Sequence, residues 1–160
     1  MIRQVHVNGS RISGNGEGTP VSHKFTGILS SEPISSLGKE MTFDGAIQAH
    51  SDWKVRLANY CQGRLKEPID IQKLKMDNVC ELGKWLYGEG REYATDPVYP
   101  ELVQAHAAFH RTAARLASIV ERGDASTVLT QIQSRESEFG ALSIRLVGIL
   151  MGFRSRYPNG

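Results

Sequence analysis

The fold is decided by residues 97–123, which read PVYPELVQAHAAFHRTAARLASIVERG. Apolar side chains recur along this stretch at steps of three and four, the spacing of one buried face of an α-helix. Pro97 and Pro100 are tolerated just inside or before a helix start, and Gly123 is typical of a helix end. The stretch therefore predicts a long helix with one face in the core.

Two more long helical patterns and one short one lie on either side of this helix. The first long pattern runs from about Phe43 to Cys61, and the short one runs from about Lys75 to Tyr87, with Met76 facing inward. The last begins at Asp124 or Ser126, either of which can cap it, and continues as one helix to about residue 153.

The connections between these helices predict how they pack. A link as short as Gly123-Asp124 forces two consecutive helices to run antiparallel, and apolar faces of this kind cover one another by closing a bundle. We therefore expect an all-α fold, an antiparallel four-helix bundle with a short cysteine-bearing helix, over residues 39–155. Residues 1–38 are rich in glycine and serine and predict a flexible N-terminal tail, with a weak hairpin pattern around Asn8-Gly9.

Composition excludes several classes of function. The chain has 160 residues, enough for one domain, and its formal charge of +2 gives no reason to expect nucleic acid or a membrane surface as a partner. No apolar run approaches the roughly 18–20 residues of a membrane span, and the N-terminus has no export pattern. We therefore expect a cytoplasmic protein, in which the two cysteines stay reduced.

Three of the five histidines, His50, His106 and His110, fall on the apolar faces of predicted helices. A buried imidazole without a partner loses its hydration at a cost of about 1–3 kcal/mol, so some interaction should compensate each ring. His106 and His110 are four residues apart, which places both rings on the same side of one helix, about one turn apart.

Two histidines on one helix supply half of a tetrahedral metal shell, and the remaining inward candidates are His50 and Cys80. Three imidazoles and one thiolate favour zinc over the hard cations that prefer oxygen ligands. A site for one zinc ion per chain is one hypothesis. A surface pair at His106 and His110 beside unrelated core residues is the alternative that the spacing alone leaves open.

The remaining cysteine and histidines are assigned to other roles. Cys61 lies eleven residues, or three helical turns, after His50 and is too far along the axis to share its metal, so we expect it in the core. His6 and His23 lie in the predicted tail, where solvation is the ordinary state of a histidine.

Three segments resemble the motifs of the chemoreceptor zinc-binding (CZB) family, in the same order and spacing. They read AIQAHSDW at residues 46–53, CELGKWLY at residues 80–87 and HAAFH at residues 106–110. The resemblance extends over roughly residues 40–153. It implies that the zinc ligands are His50, Cys80, His106 and His110, that the fold is a four-helix bundle, and that the chain assembles as a homodimer.

The resemblance also implies a role in bacterial signal transduction, in chemotaxis or cyclic di-GMP output, with an unidentified signalling protein as partner. Zinc would keep Cys80 as a thiolate, the oxidisable form of cysteine, so Cys80 would act as a redox switch that responds to oxidants such as hypochlorous acid. Gly83, Gly88 and Gly90 are expected to let the short helix move, and Asp77 is expected to be a solvated cap.

Three other functions compete with the redox switch. A reversible zinc sensor would use Cys80 only as a ligand, and a structural zinc site would stabilise a protein-interaction module. A diiron bundle of the haemerythrin kind would need several inward carboxylates, whereas Glu101, Glu136 and Glu138 are expected at the surface. Because four protein ligands leave zinc no open position for water, we expect no enzymatic activity.

Overall fold

The computed structural model describes residues 41–158, whose regular structure is entirely helical. Its helices are α1 (Phe43–Cys61), α2 (Ile71–Lys75), α3 (Glu81–Tyr87), α4 (Val98–Glu121), α5 (Ala125–Gln133) and α6 (Glu138–Arg156), with a 3₁₀ helix, Glu89–Tyr93, after α3. The predicted all-α bundle is confirmed. The predicted tail at residues 1–38 and its hairpin lie outside the described residues.

Contacts at both ends show that α1 and α4 run in the same direction. The rings of His50 and His106, in the first half of each helix, have centroids 5.1 Å apart. The hydroxyl of Tyr60 lies 3.5 Å from the carboxylate of Glu121 at their C-terminal ends. Two helices therefore run upward, and each must be followed by a descending segment.

The segment formed by α2 and α3 descends beside α4. The carbonyl of Leu74 in α2 contacts His110, and Cys80, just before α3, contacts His106 one turn lower on α4. These two short helices therefore occupy the place of the second helix of the bundle.

The segment formed by α5 and α6 also descends. Glu138 at the start of α6 pairs with Arg115 in the second half of α4, and Arg145 pairs with Glu101 in its first turn. The order is therefore up, down, up, down, as the short connections predict.

The short cysteine-bearing helix begins later than the sequence predicts. It starts at Glu81 rather than near Lys75, because Met76 and Cys80 both have extended backbone conformations, with ψ of 113° and 163°. The side chain of Met76 is exposed rather than inward. The five-residue helix α2 was not predicted.

The prediction of one continuous fourth helix is wrong. The backbone is extended at Ser134 and at Ser137, the residue that caps α6 by accepting a hydrogen bond from the N–H of Gly140 at 3.0 Å. A Cβ atom added at Gly140 would lie 2.1 Å from the carbonyl oxygen of Ser134. Glycine thus allows the first turn of α6 to pack directly against the end of α5.

The bundle encloses one core to which every long helix contributes. The largest fully buried apolar side chains are Leu57, Leu82, Leu86, Leu102, Phe109, Leu116, Phe139, Leu146, Leu150 and Phe153. Each such side chain stabilises the fold by about 1.5–3 kcal/mol relative to an exposed one.

Among the helices described between residues 41 and 158, none combines the length and apolar character that a membrane crossing requires.

Substitution of two glycines of α6 tests the break between α5 and α6. Gly140→Ala should lower the free energy of unfolding by about 1–3 kcal/mol, because its methyl group meets backbone atoms. Gly148→Ala, at an exposed position of the same helix with no atom within 4 Å, should raise it by about 0.5–1 kcal/mol. Urea unfolding with an unchanged m-value measures both, and equal effects at the two positions would contradict the break.

Candidate metal centre

The structure brings together the four residues that the sequence singled out as ligands. One donor atom from each of His50, Cys80, His106 and His110 lies within 4.8 Å of the others. The three histidines are 4%, 0% and 3% exposed, in chain order, whereas Cys80 is only partly buried. The assignment of these residues as zinc ligands stays a prediction, and their convergence on one point supports it.

The sequence also assigned several residues to roles outside the metal site. Cys61, at the end of α1, is not part of the cluster, as predicted. It is only partly buried and packs against the core from outside, rather than lying within it as we expected. His6 and His23 lie outside the described residues. Glu101 forms an ion pair with Arg145 of α6, Glu138 forms one with Arg115 of α4, and neither carboxylate belongs to the cluster.

Cys80 holds a special position because it is the N-cap residue of α3. Its sulfur accepts a hydrogen bond from the N–H of Gly83 at 3.3 Å, and its carbonyl accepts one from the N–H of Lys84. The helix N-terminus thus directs N–H groups at the atom that would bind the metal, an arrangement that favours negative charge on sulfur.

Gly83 has a steric role that the sequence did not reveal. A Cβ atom at this position would lie 1.8 Å from the carbonyl oxygen of Asp77, so only glycine lets the first turn of α3 pack on the preceding loop. The loop and the turn together fix the position of Cys80. Close packing, rather than freedom to move, is therefore what requires glycine here.

The sequence suggested that Asp77 is a solvated helix cap, but Asp77 does not cap α3. Its carboxylate accepts a hydrogen bond from the hydroxyl of Tyr87 at 2.7 Å, which joins the loop before Cys80 to the last residue of α3. Burial and this carboxylate raise the pKa of Tyr87 to about 12, so the tyrosine stays protonated and continues to donate.

Two of the histidines have their Nδ1 atoms fixed by backbone carbonyls. Nδ1 of His50 donates to the carbonyl of Ala46, and Nδ1 of His110 donates to the carbonyl of Leu74, both at 2.7 Å. The proton on Nδ1 leaves the lone pair on Nε2 free for a metal ion. Leu74 is therefore a supporting residue that helical periodicity could not identify.

His106 differs from the other two histidines. Its Nε2 lies 3.2 Å from the sulfur of Cys80, yet its Nδ1 is buried and finds no hydrogen-bond partner among the described residues. A metal ion at Nε2 would compensate part of the cost of burying this ring, whereas Nδ1 would still lack the acceptor that zinc-bound histidines usually have.

Burial keeps the three imidazoles neutral. Loss of hydration lowers the pKa of His50 to about 4 and that of His106 to about 2, and repulsion from His110 adds to both effects. Burial likewise lowers the pKa of His110. Neutral imidazole is the form that binds metal, so the protein environment prepares these nitrogens as ligands.

The same burial acts in the opposite direction on the thiol. It raises the pKa of Cys80, and the nearby Asp77 adds to the rise, while the N–H groups of Gly83 and Leu82 oppose it. The protein alone therefore favours the protonated thiol. A bound zinc ion would reverse this preference, because it stabilises a coordinated thiolate.

Two distances between donor atoms are close to those of a zinc shell. Zn–N bonds of about 2.0–2.1 Å and a Zn–S bond of about 2.3 Å place neighbouring tetrahedral donors about 3.3–3.6 Å apart. The sulfur of Cys80 lies 3.2 Å from Nε2 of His106 and 3.6 Å from Nε2 of His110. These four residues form a site that can bind one zinc ion with a closed set of protein ligands.

Comparison with known families supports this assignment. Residues 50–117 match the family model described as the chemoreceptor zinc-binding domain, a span that contains all four candidate ligands but less than half of the 160 residues. The resemblance inferred from three motifs is thus confirmed. No curated protein and no solved structure matches the chain.

Metal analysis of the purified protein tests the site directly. We expect one zinc per chain in the wild type, and much less in Cys80→Ser and His110→Ala, since each variant removes one of four donors. Cys61→Ser should retain a full zinc ion, because Cys61 lies outside the cluster. Removal of zinc with a chelator should lower the midpoint of thermal unfolding, since saturation at 100 times Kd stabilises by about 2.7 kcal/mol.

Zinc affinity also tests the packing of Gly83. Gly83→Ala should weaken zinc binding by about 10–100-fold, because the added methyl group displaces the turn that positions Cys80. Gly152→Ala, in a position with no atom within 4 Å, serves as the matched control and should bind zinc like the wild type. Competition with a chromophoric chelator measures both, and unchanged affinity in Gly83→Ala would contradict the steric role.

Proposed function

Because its residues 50–117 match the chemoreceptor zinc-binding domain, we propose that this chain is a cytoplasmic sensory domain of a bacterial signalling system, in chemotaxis or cyclic di-GMP output. Its signal is an oxidant such as hypochlorous acid, and its switch is the bond between zinc and Cys80. We further propose that it acts as a homodimer on a signalling partner, without enzymatic activity of its own, since four protein ligands leave no open position on zinc.

The observation that supports a redox switch is the uneven burial of the four donors. The three imidazoles are at most 4% exposed, whereas Cys80, the one oxidisable donor, is partly exposed. We infer that a small oxidant reaches Cys80 with less opening of the core than the three imidazoles would require. Thiolate character and access together determine which cysteines are oxidised.

The chemical step balances with hypochlorous acid as the oxidant. The thiolate sulfur of Cys80 attacks the chlorine of HOCl to form a sulfenyl chloride, and hydroxide leaves with the electron pair of the O–Cl bond. Water then displaces chloride from sulfur, and the proton released neutralises the hydroxide, so the net products are a sulfenic acid and Cl⁻. Sulfur is oxidised and chlorine is reduced. A sulfenic acid is neutral and a poorer ligand than a thiolate, so oxidised Cys80 would no longer hold a zinc ion that the three histidines bind.

Oxidation of Cys80 would also affect α3, the helix that follows it. The sulfur accepts the hydrogen bond that caps α3, and removal of an N-cap acceptor costs about 0.5–2 kcal/mol. A helix of seven residues depends on such contacts, because isolated helices of this length are unstable in water. Oxidation would therefore loosen α3 before the longer helices.

A reversible zinc sensor is the second candidate, and the unpaired Nδ1 of His106 favours it. Supporting hydrogen bonds to zinc-bound histidines are typically worth 10–100-fold in metal affinity. His106 lacks this support among the described residues. Its zinc affinity would therefore be lower, which would allow the bound ion to exchange with cellular zinc. A structural zinc site in an interaction module is the remaining alternative, and it requires near-permanent occupancy.

Oxidation of the Cys61→Ser protein separates these functions, because Cys80 is then the one thiol in the chain. One equivalent of hypochlorous acid should convert Cys80 to its oxidised form and release zinc or leave it weakly bound, as followed by mass spectrometry and a zinc indicator. Full retention of zinc and of helix protection in protein with Cys80 shown to be modified would contradict the redox switch. A Kd within the range of free cellular zinc would then favour the zinc sensor.

A further inference from the structure

Trp85 connects α3 to the rest of the bundle. Its side chain is 8% exposed, and its ring meets the ring of Phe43 in α1 edge-on, with centroids 5.3 Å apart. It also meets Phe153 of α6 edge-on at 5.9 Å and lies beside Tyr93 of the 3₁₀ helix at 5.7 Å. Trp85 thus contacts one aromatic ring in the first turn of α1 and another in the last turn of α6.

The aromatic contacts continue from Trp85 into the last turn of α6. The centroid of Phe153 lies 4.8 Å from that of Tyr157, and Tyr157 lies 4.5 Å from Tyr93. Aromatic pairs at such distances contribute about 0.5–1.5 kcal/mol beyond the burial of their area. We call Trp85, Tyr93, Phe153 and Tyr157 the aromatic cluster.

Polar contacts hold the same end of α6 against the start of α4. The carboxylate of Asp96 accepts hydrogen bonds from the hydroxyl of Tyr157 at 2.8 Å and from the N–H of Val98 at 2.7 Å. Arg156 forms an ion pair with the same carboxylate at 3.3 Å. Two of these contacts, those of Tyr157 and Arg156, join the end of α6 to Asp96.

Cys80 and Trp85 lie on the same seven-residue helix, one at its N-cap and the other in its last turn. Only four residues separate Cys80 from Trp85, so loss of the contacts of Cys80 would disturb the helix that holds the ring of Trp85 against Phe153 and Tyr93.

From these contacts we propose that Trp85 couples the metal centre to the C-terminal end of α6, so that loss of Cys80 from the zinc shell loosens residues 153–157. This coupling rests on the proposed zinc binding. It makes the end of α6 the element that changes for a partner when zinc or Cys80 leaves the site. Coupling between two sites is reciprocal, so a partner that binds the loosened end of α6 also weakens zinc binding.

Hydrogen exchange of the whole chain, measured with zinc and after chelation, tests this coupling. Amides of residues 150–157 should exchange about tenfold faster without zinc. In the zinc-bound protein, local opening must break the contacts of the aromatic cluster, and without zinc these contacts are already loosened. Amides of α5, which contains no residue of the aromatic cluster, should keep their rates. Unchanged rates at residues 150–157, or an equal rise in α5, would overturn the proposal.

Variants test the coupling from both ends. In Trp85→Leu, exchange at residues 150–157 should no longer depend on zinc. In Trp85→Phe this dependence should remain, because phenylalanine keeps an aromatic ring against Phe153. Should Trp85→Leu fail to fold, Phe153→Leu tests the reverse direction and should weaken zinc binding about tenfold. Met151→Leu, an exposed position on the same helix, should leave zinc affinity unchanged. Equal zinc affinity in Phe153→Leu and Met151→Leu would refute the coupling.

The two proposals can fail separately. If oxidation of Cys80 releases zinc but exchange at residues 150–157 stays unchanged, the redox switch stands and the coupling is wrong. If oxidation leaves zinc bound while chelation loosens residues 150–157, the coupling stands and the redox switch is wrong.

Discussion

The burial of three imidazoles is the constraint on which the rest of this structure depends. His50 and His110 recover part of the lost hydration by donating to backbone carbonyls, whereas Nδ1 of His106 recovers none from the described residues. A zinc ion at the point where the Nε2 atoms converge would compensate all three rings and stabilise the thiolate of Cys80. Because the site exists only in the folded chain, free energy of metal binding becomes free energy of folding.

The four donors also join elements of very different intrinsic stability. Helices α1 and α4 have 19 and 24 residues, whereas α3 has seven. The oxidisable donor, Cys80, belongs to the weakest of the three elements. In the proposed switch, loss of Cys80 as a ligand acts first on α3 and on the aromatic side chains that Trp85 contacts, while the long helices keep the fold.

Helical periodicity predicted α1 and α4 well because each is a single uninterrupted helix. It failed for the other two segments of the bundle. Apolar residues at Val128, Ile132, Phe139 and Leu146 keep helical spacing across the break between α5 and α6, so the pattern does not register the extended residues Ser134 and Ser137. Helix α2 has five residues, too few to show a period at all.

The sequence by itself determined the helical fold class and the buried positions of His50, His106 and His110, because side chains on the inward face of a helix follow from local spacing. Cys80, which precedes its helix, completed the candidate set through the family motif. Only the tertiary structure decided that Cys80 caps α3, that the carbonyl of Leu74 orients His110, that Gly83 packs on Asp77, and that Nδ1 of His106 lacks a partner among the described residues. These features join residues on different helices and loops. Such contacts depend on how the segments pack and where each helix ends, which local periodicity does not specify.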